Sequence, residues 1–355
     1  MRRAILILAA VFLTGISLLS YAAGLPEKGL PRGGLPRGGL PRGGLPRGRL
    51  TSVSHTGIEL GTYVKIVIIT KKSQEKEALE TINEMFGRIE ELDRTFDYRK
   101  EGGGLLRFND GELLFRKNNE ELFGLLEYSL DIARATDGFF DPTILPVVQA
   151  WGFDTDSPRL PAKHEITHAL ERVDYRAVRV LEGRIEKPGA VKLDLSGVAK
   201  GRIVDIIRDD LRNRGYGNFL IDAGGDVYVS GKNVHRRLWR IAIQDPVEKS
   251  GFRGIVEKTD TAVVTSGDYE RFFIKDGVRY SHLFNPKTGY PYSDLKSVTV
   301  LLHDTAFADA VATAVFVMGS ERGYEFLIEN SMEGYFILVD AEGTVATRST
   351  PDFWN

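Results

Sequence analysis

Apolar and polar positions along this chain change period several times, and each change marks an element. Residues 63–70 (YVKIVIIT) are β-branched and strand-like. The following stretch, 72–92, sets Leu79, Ile82, Phe86, Ile89 and Leu92 at three- and four-residue intervals, which predicts an amphipathic helix with those side chains on its core face. A second helix is predicted over 120–135, ending before Gly138. After Arg176, short strand-like runs dominate (AVRVL, FLIDA, VYVSG, WRIAI, AVVTS, SVTVLL, YFILVD), interrupted by helical stretches over 198–211 and 305–318. Strands and helices mixed without regular βα alternation predict an α+β body, with mixed sheets and packed helices, over 51–355.

Two segments precede that body. Residues 1–23 carry Arg2 and Arg3, then an apolar run from Ile5 to Leu19, then small residues with Ser20 and Ala22 before the boundary, which is the pattern of a secretory signal. The run is short for a membrane span of ~20 residues, so cleavage is expected rather than retention as an anchor. Residues 24–50 repeat a five-residue unit, LPEKG, LPRGG, LPRGG, LPRGG, LPRGR. Pro and Gly in every copy leave no face to bury, so an extended tether is expected, with arginines able to touch anionic lipid. The reading is therefore an exported, periplasmic or cell-envelope protein.

Charge and cysteine content narrow the chemistry. Residues 51–355 hold 39 Lys/Arg against 48 Asp/Glu, and an acidic body argues against nucleic-acid binding, which relies on basic surface. The chain has no cysteine, which excludes disulfides, thiolate catalysis, Cys-ligated metals and a lipidated N-terminal cysteine. It is thus not expected to be a lipoprotein.

Five stretches bear chemistry. His164-Glu165-Ile166-Thr167-His168 matches the zinc-protease string HExxH, but Pro158 and Pro161 bound it, and Glu171 and Asp174 stand where its longer form needs Gly and His, so a solvent-facing helical turn is expected. In LDLSGVAKG, 193–201, a strand end turns into a helix beside Lys200; this suits an anion at a helix N-terminus, and equally an ordinary helix capped by Asp194 or Ser196. The glycine turns DAGGD and TSGDYER bring backbone close to polar groups, or simply make hairpins. His282 leaves a strand just before a Pro/Gly turn, where an imidazole reaches a cleft or serves structure. Asp309 and Thr313, four apart at the start of an apolar helix, share one face and offer hard oxygen ligands to Mg²⁺; the competing reading has Asp309 as a first-turn acid complementing the helix dipole.

Taken together, GFFDPTILPVVQAWGF (138–153), LDLSGVAKG (193–201), AGGDVYVSG (223–231), TSGDYER (265–271), HLFNPKTGYP (282–291) and ADAVATAVFVMG (308–319) resemble, in order, the FAD:protein FMN transferase (ApbE) family. The resemblance runs from Gly57 to roughly Gly319 and implies an ApbE-like (T-fold-like) catalytic body. It implies binding of FAD and Mg²⁺, and transfer of the FMN half to a Thr or Ser hydroxyl of a partner protein, such as a redox-pump subunit, with release of AMP. A Mg²⁺-dependent FAD pyrophosphatase and a non-catalytic exported flavin-binding protein are the alternatives. By the same resemblance Asp309, Thr313 and Gly197 match metal positions, and His282 the catalytic histidine. Leu60, Tyr98, Phe139, Phe140, Asp141, Asp194, Lys200 and Leu283 match flavin- or adenine-side contacts. Three departures stand out: Leu60 where the family has methionine, Asn285 where an acid precedes Pro286, and Ala312 where some members have an acid.

Overall fold

A computed structural model describes residues 49–112, 116–248, 251–291, 294–340 and 343–355. The expected signal (1–23) lies outside them, as does all of the tether except Arg49 and Leu50. In chain order the elements are β1 (Leu50–Glu59), β2 (Thr62–Lys71), α1 (Glu75–Phe96), α2 (Gly104–Asn109), α3 (Glu120–Ala135), α4 (Leu145–Ala150), α5 (Lys163–Leu170), β3 (Arg179–Leu181), β4 (Arg184–Glu186), α6 (Ser196–Asn213), β5 (Phe219–Ala223) and β6 (Asp226–Ser230). There follow β7 (Trp239–Gln244), β8 (Phe252–Lys258), β9 (Thr261–Gly267), β10 (Phe272–Lys275), β11 (Val278–Ser281), β12 (Ser297–Leu302), α7 (Thr305–Met318), α8 (Ser320–Glu329), β13 (Glu333–Val339) and β14 (Val345–Ser349).

Eight of the described strands form one sheet in the order β1-β2-β5-β6-β9-β12-β13-β14, every neighbour antiparallel. Its middle strands read as continuous apolar runs because both faces are covered. Ile66, Ile221, Val264 and Val300 pack on α1, α6 and α7, while Val67, Val229, Val263 and Ile337 pack under the β7–β8 hairpin and Phe353. The expected α+β architecture is what the residues form, with three corrections. In α1 the buried stripe is Ala78, Ile82, Met85, Ile89, Leu92 and Phe96; Leu79 sits off that stripe and is 41% exposed, and Phe86 is only half-buried. The AVRVL run yields just the small β3–β4 hairpin, outside the main sheet. Finally β1, a largely polar edge strand, carries no alternation that the sequence reading detected.

Helix α7 is the axis of the helical layer, buried except at Phe307 and Thr313, as expected of a helix apolar all round. It meets α6 at Gly201, where a Cβ atom would stand 2.4 Å from the Thr305 carbonyl oxygen and 2.7 Å from the Ala306 Cα. Both obstacles are backbone and neither yields. Gly201→Ala is therefore expected to cost about 1–3 kcal/mol, read as a lowered melting temperature.

Candidate active site

The N-terminus of α7 is satisfied without Asp309. Asp304 accepts from the Phe307 amide at 2.8 Å, and buried Asp205 on α6 accepts from the Thr305 and Ala306 amides at 3.0 and 2.8 Å. Burial, reinforced by Asp304, pushes the Asp205 carboxyl up to about 6. The reading of Asp309 as a first-turn acid is thereby corrected: the helix begins at Thr305, and Asp309 lies beyond its first turn. Its Oδ2 instead accepts from the Gly201 amide at 3.1 Å, and its Oδ1 lies 3.9 Å from Lys200 Nζ.

Gly201 is also the residue whose amide an α-helix would direct at the Gly197 carbonyl, so that donor is shared with Asp309. Gly197 faces α7 directly: a Cβ on it would meet Thr313 Oγ1 at 3.5 Å and the Phe140 ring at 3.3 Å. Asp309, Thr313 and Gly197, matched separately in the sequence, thus converge where α6 begins. Asp194 stands just ahead, buried, its Oδ1 accepting from the Ser196 amide at 2.8 Å, which makes it a turn-former at the helix start. Burial holds its carboxyl above the usual range, and Tyr98 lies within its field.

Lys200 ties the site to the sheet. It pairs with the buried Asp226 at the start of β6, and although burial alone would lower its pKa, Asp226 and Asp309 hold it above the ordinary value. The β5–β6 turn supports that pair. Gly224 has φ +64°, and a Cβ there would strike Thr62 Oγ1 at 2.5 Å; Asp222 accepts from the Gly225 amide at 2.9 Å and from the Tyr63 hydroxyl at 3.1 Å. Asp226, Glu270 and Tyr63 belong to this network, and the sequence reading assigned none of them a role. The DAGGD and TSGDYER turns held the signal, but only the fold sets them beside Lys200.

His282 follows β11. Its Nδ1 lies 3.1 Å from the Arg271 carbonyl oxygen, which also accepts the His282 amide at 3.0 Å. A carbonyl only accepts, so Nδ1 carries the hydrogen and Nε2 keeps its lone pair. Desolvation, then the Arg271 and Lys200 charges, push the imidazole down to about 4, leaving it neutral near pH 7. The hydrogen-bonded Nδ1 and free Nε2 are the configuration of a general base.

Of the remaining expected contacts, Phe140 adjoins Gly197. Phe140 is pinned by its amide to Thr136 Oγ1 at 3.1 Å. Asp141 accepts from Thr143 Oγ1 at 2.6 Å and from the Tyr175 amide at 3.2 Å. Phe139 has Lys287 Nζ and the Arg322 guanidinium 4.2 and 4.4 Å from its ring centroid. Leu283 is buried, and Leu60 occupies the β1–β2 turn at φ +56°.

Residues 60–336 match the family model described as the ApbE family. The chain belongs to the ApbE family. A FAD:protein FMN transferase from Vibrio cholerae serotype O1 is 34% identical over 268 residues, 72% of this chain and 78% of that protein. One from Treponema pallidum is 29% identical over 316 residues, 82% and 86% respectively. The ApbE protein of Thermotoga maritima superposes with a TM-score of 0.76 at 30% identity, covering 83% of this chain and 96% of that one. The flavin transferase ApbE from Vibrio cholerae gives 0.75 at 28%, covering 86% and 98%. This ApbE chain is accordingly an enzyme, a transferase.

Within the ApbE frame the departures are local. Asn285 keeps the turn before Pro286, its Oδ1 accepting from the Lys287 amide at 2.8 Å, and Ala312 is fully buried in apolar surroundings. The HExxH string lies in the surface helix α5, with Ile166 turned to the core. In α5 Glu165 is spent on the Ala162 amide at 2.8 Å and on Arg159, which holds its carboxyl down at about 2, while His164 and His168 face solvent. Replacing both histidines with alanine is expected to leave activity unchanged with or without added zinc, checked by steady-state assay.

The residues also fit a magnesium ion. Among the described residues no cluster of three or more His, Asp or Glu side chains would hold a metal unaided. One carboxylate, one hydroxyl and one carbonyl are all-oxygen donors, and Mg²⁺ is commonly held by one or two carboxylates completed by water and substrate phosphates.

Proposed function

We propose that this chain moves the FMN half of FAD onto a Thr or Ser hydroxyl of a partner protein, in a Mg²⁺-dependent reaction that releases AMP. The observation that carries it is the convergence of Asp309, Thr313 and Gly197 at the α6–α7 contact beside Lys200, with His282 and its free Nε2 within the field of that lysine. Asp309, Thr313 and the Gly197 carbonyl would hold the ion, which would supply charge neutralisation for the diphosphate. Lys200 adds a fixed positive charge beside it. His282 Nε2 takes the proton of the acceptor hydroxyl as its oxygen bonds to the FMN phosphorus. The bond from that phosphorus to the bridging oxygen breaks, and AMP departs with the electron pair. Because the protein performs little covalent chemistry, positioning and electrostatics carry the rate. Tyr98, Phe140 and Leu283, with Leu60 at the hairpin tip, supply apolar and aromatic surface for the flavin and adenine rings. Export by residues 1–23, and a tether over 24–50 that meets anionic lipid, complete the reading; both rest on sequence pattern.

Purified protein is mixed with FAD, Mg²⁺ and a candidate acceptor. Flavin fluorescence that stays on the denatured acceptor is the expected result. Free FMN and AMP with an unlabelled acceptor would mean that water is the only acceptor, and the proposal fails in favour of a pyrophosphatase.

A further inference from the structure

The mount of His282 is itself a surface feature. Arg271 and His282 are the two roots of the β10–β11 hairpin, whose turn is Asp276-Gly277 with φ of +52° and +79°. A two-residue turn of this kind makes the flanking pair, Lys275 and Val278, the hydrogen-bonded one, and bonded and non-bonded pairs then alternate down the ladder. Phe273 with Tyr280 and Arg271 with His282 are therefore bonded pairs, and the His282 amide does donate to the Arg271 carbonyl at 3.0 Å. In that phase Phe272 and Ile274 turn their N–H and C=O groups outward, away from β11. Among the described residues the hairpin is a two-stranded sheet of its own, so no strand takes those groups.

Side chains follow the same alternation. Phe273 packs inward with Tyr280 against Trp151, at 6.3 and 5.3 Å between centroids, which fixes the hairpin to the body. Phe272 and Ile274 lie on the other face and are 39% and 62% exposed. Arg271, Lys275 and Arg279 against the single acid Asp276 give the hairpin itself a positive excess, although Arg279 lies 3.9 Å from Asp268 and Arg271 turns inward to the Phe153 carbonyl.

Resting on the transfer reading above, we propose that the outer edge of β10 docks the acceptor protein: its hydroxyl-bearing segment adds as an extended strand along Phe272 and Ile274. Main-chain bonds to those two residues hold the segment, the apolar pair grips alternate side chains, and the positive hairpin favours an uncharged or acidic segment. A strand running along β10 ends beside Arg271, whose carbonyl holds His282 from the other side, so only chain that continues past Arg271 comes round the hairpin root to the base.

The test uses the full chain, FAD, Mg²⁺ and a pool of synthetic peptides, each with one Thr or Ser between randomised flanks. Ile274→Pro deletes an outward N–H and leaves the ladder to β11 intact, whereas Ile274→Thr keeps the N–H. Ile274→Pro is expected to raise the KM for labelled peptides about tenfold, equivalent to about 1.4 kcal/mol, with FAD hydrolysis in the absence of peptide unchanged; Ile274→Thr loses less. Hydrogen exchange at the Phe272 and Ile274 amides should slow when peptide is bound. Equal KM values for Ile274→Pro and wild type, or exchange indifferent to peptide, overturn the dock while leaving transfer standing. A dimer that Ile274→Pro disperses with transfer unaltered overturns it in favour of a second copy of this chain. If the wild type hydrolyses FAD and labels no peptide, the transfer reading fails and the dock with it.

Discussion

Asp309→Asn is expected to lose about 10²–10³-fold in Mg²⁺-dependent flavin transfer while melting no lower than the wild type in magnesium-free buffer. The loss follows from removing the one carboxylate of the proposed ion site, since a metal contributes several kcal/mol of charge stabilisation and each 1.36 kcal/mol is about tenfold in rate. Retained stability follows from the geometry: asparagine still offers an oxygen to the Gly201 amide, and Lys200 keeps Asp226. Burial raises the Asp309 carboxyl above its unfolded value even against Lys200 and the Gly201 amide, so the native state binds its proton more readily. For such a group taken alone, stability falls as pH rises from the unfolded pKa through the folded one. Magnesium should raise the melting temperature of the wild type and not of Asp309→Asn. Full activity in the variant, or an equal magnesium shift in both, would refute the ion site.

His282→Ala should slow transfer by about 10²–10⁴, the range for a lost general base, with FAD affinity unchanged in a binding titration. The ring contributes only one bond to the Arg271 carbonyl, and the backbone amide of residue 282 supplies a second that alanine keeps. Equal losses of rate and affinity would instead make His282 a structural residue. The pH profile gives an independent check. With the imidazole pushed down to about 4, it stays unprotonated where an ordinary histidine would titrate, so kcat/KM of the wild type should hold level between about pH 8 and about pH 6. Folding stability runs the other way for the same group. Because its folded pKa lies below the unfolded value, the stability it confers is complete above about 6.5 and is lost as pH falls toward 4.

Much of this site was legible because its parts are local. The spacing of Asp309 and Thr313 needs only one helical turn, and the apolar runs around β5, β9 and β12 needed only their own composition. The misses were of another kind. Leu79 and Met85 are both apolar, and which of them faces the sheet depends on how α1 lies across it, a property of partners distant in sequence. Edge strand β1 is polar because solvent bathes it, so its alternation is weak. Asp226, more than 80 residues before Asp309, is set beside Lys200 only by the β5–β6 turn and α6.

The sequence by itself determined the α+β class, the helices α1, α3, α6 and α7, the strands β2, β5, β6, β9, β12 and β13, the acidic body, the absence of thiol chemistry and the helical pairing of Asp309 with Thr313, because periodicity, charge and cysteine content act through neighbours along the chain. Only the tertiary structure decided that Asp304 and Asp205 satisfy the α7 terminus, leaving Asp309 free for the Gly201 amide and Lys200, and that the Arg271 carbonyl fixes which nitrogen of His282 stays open. Those choices turn on contacts of a few ångströms between segments far apart in the chain, and such contacts exist only once the apolar faces of α6, α7 and the sheet have been buried against one another.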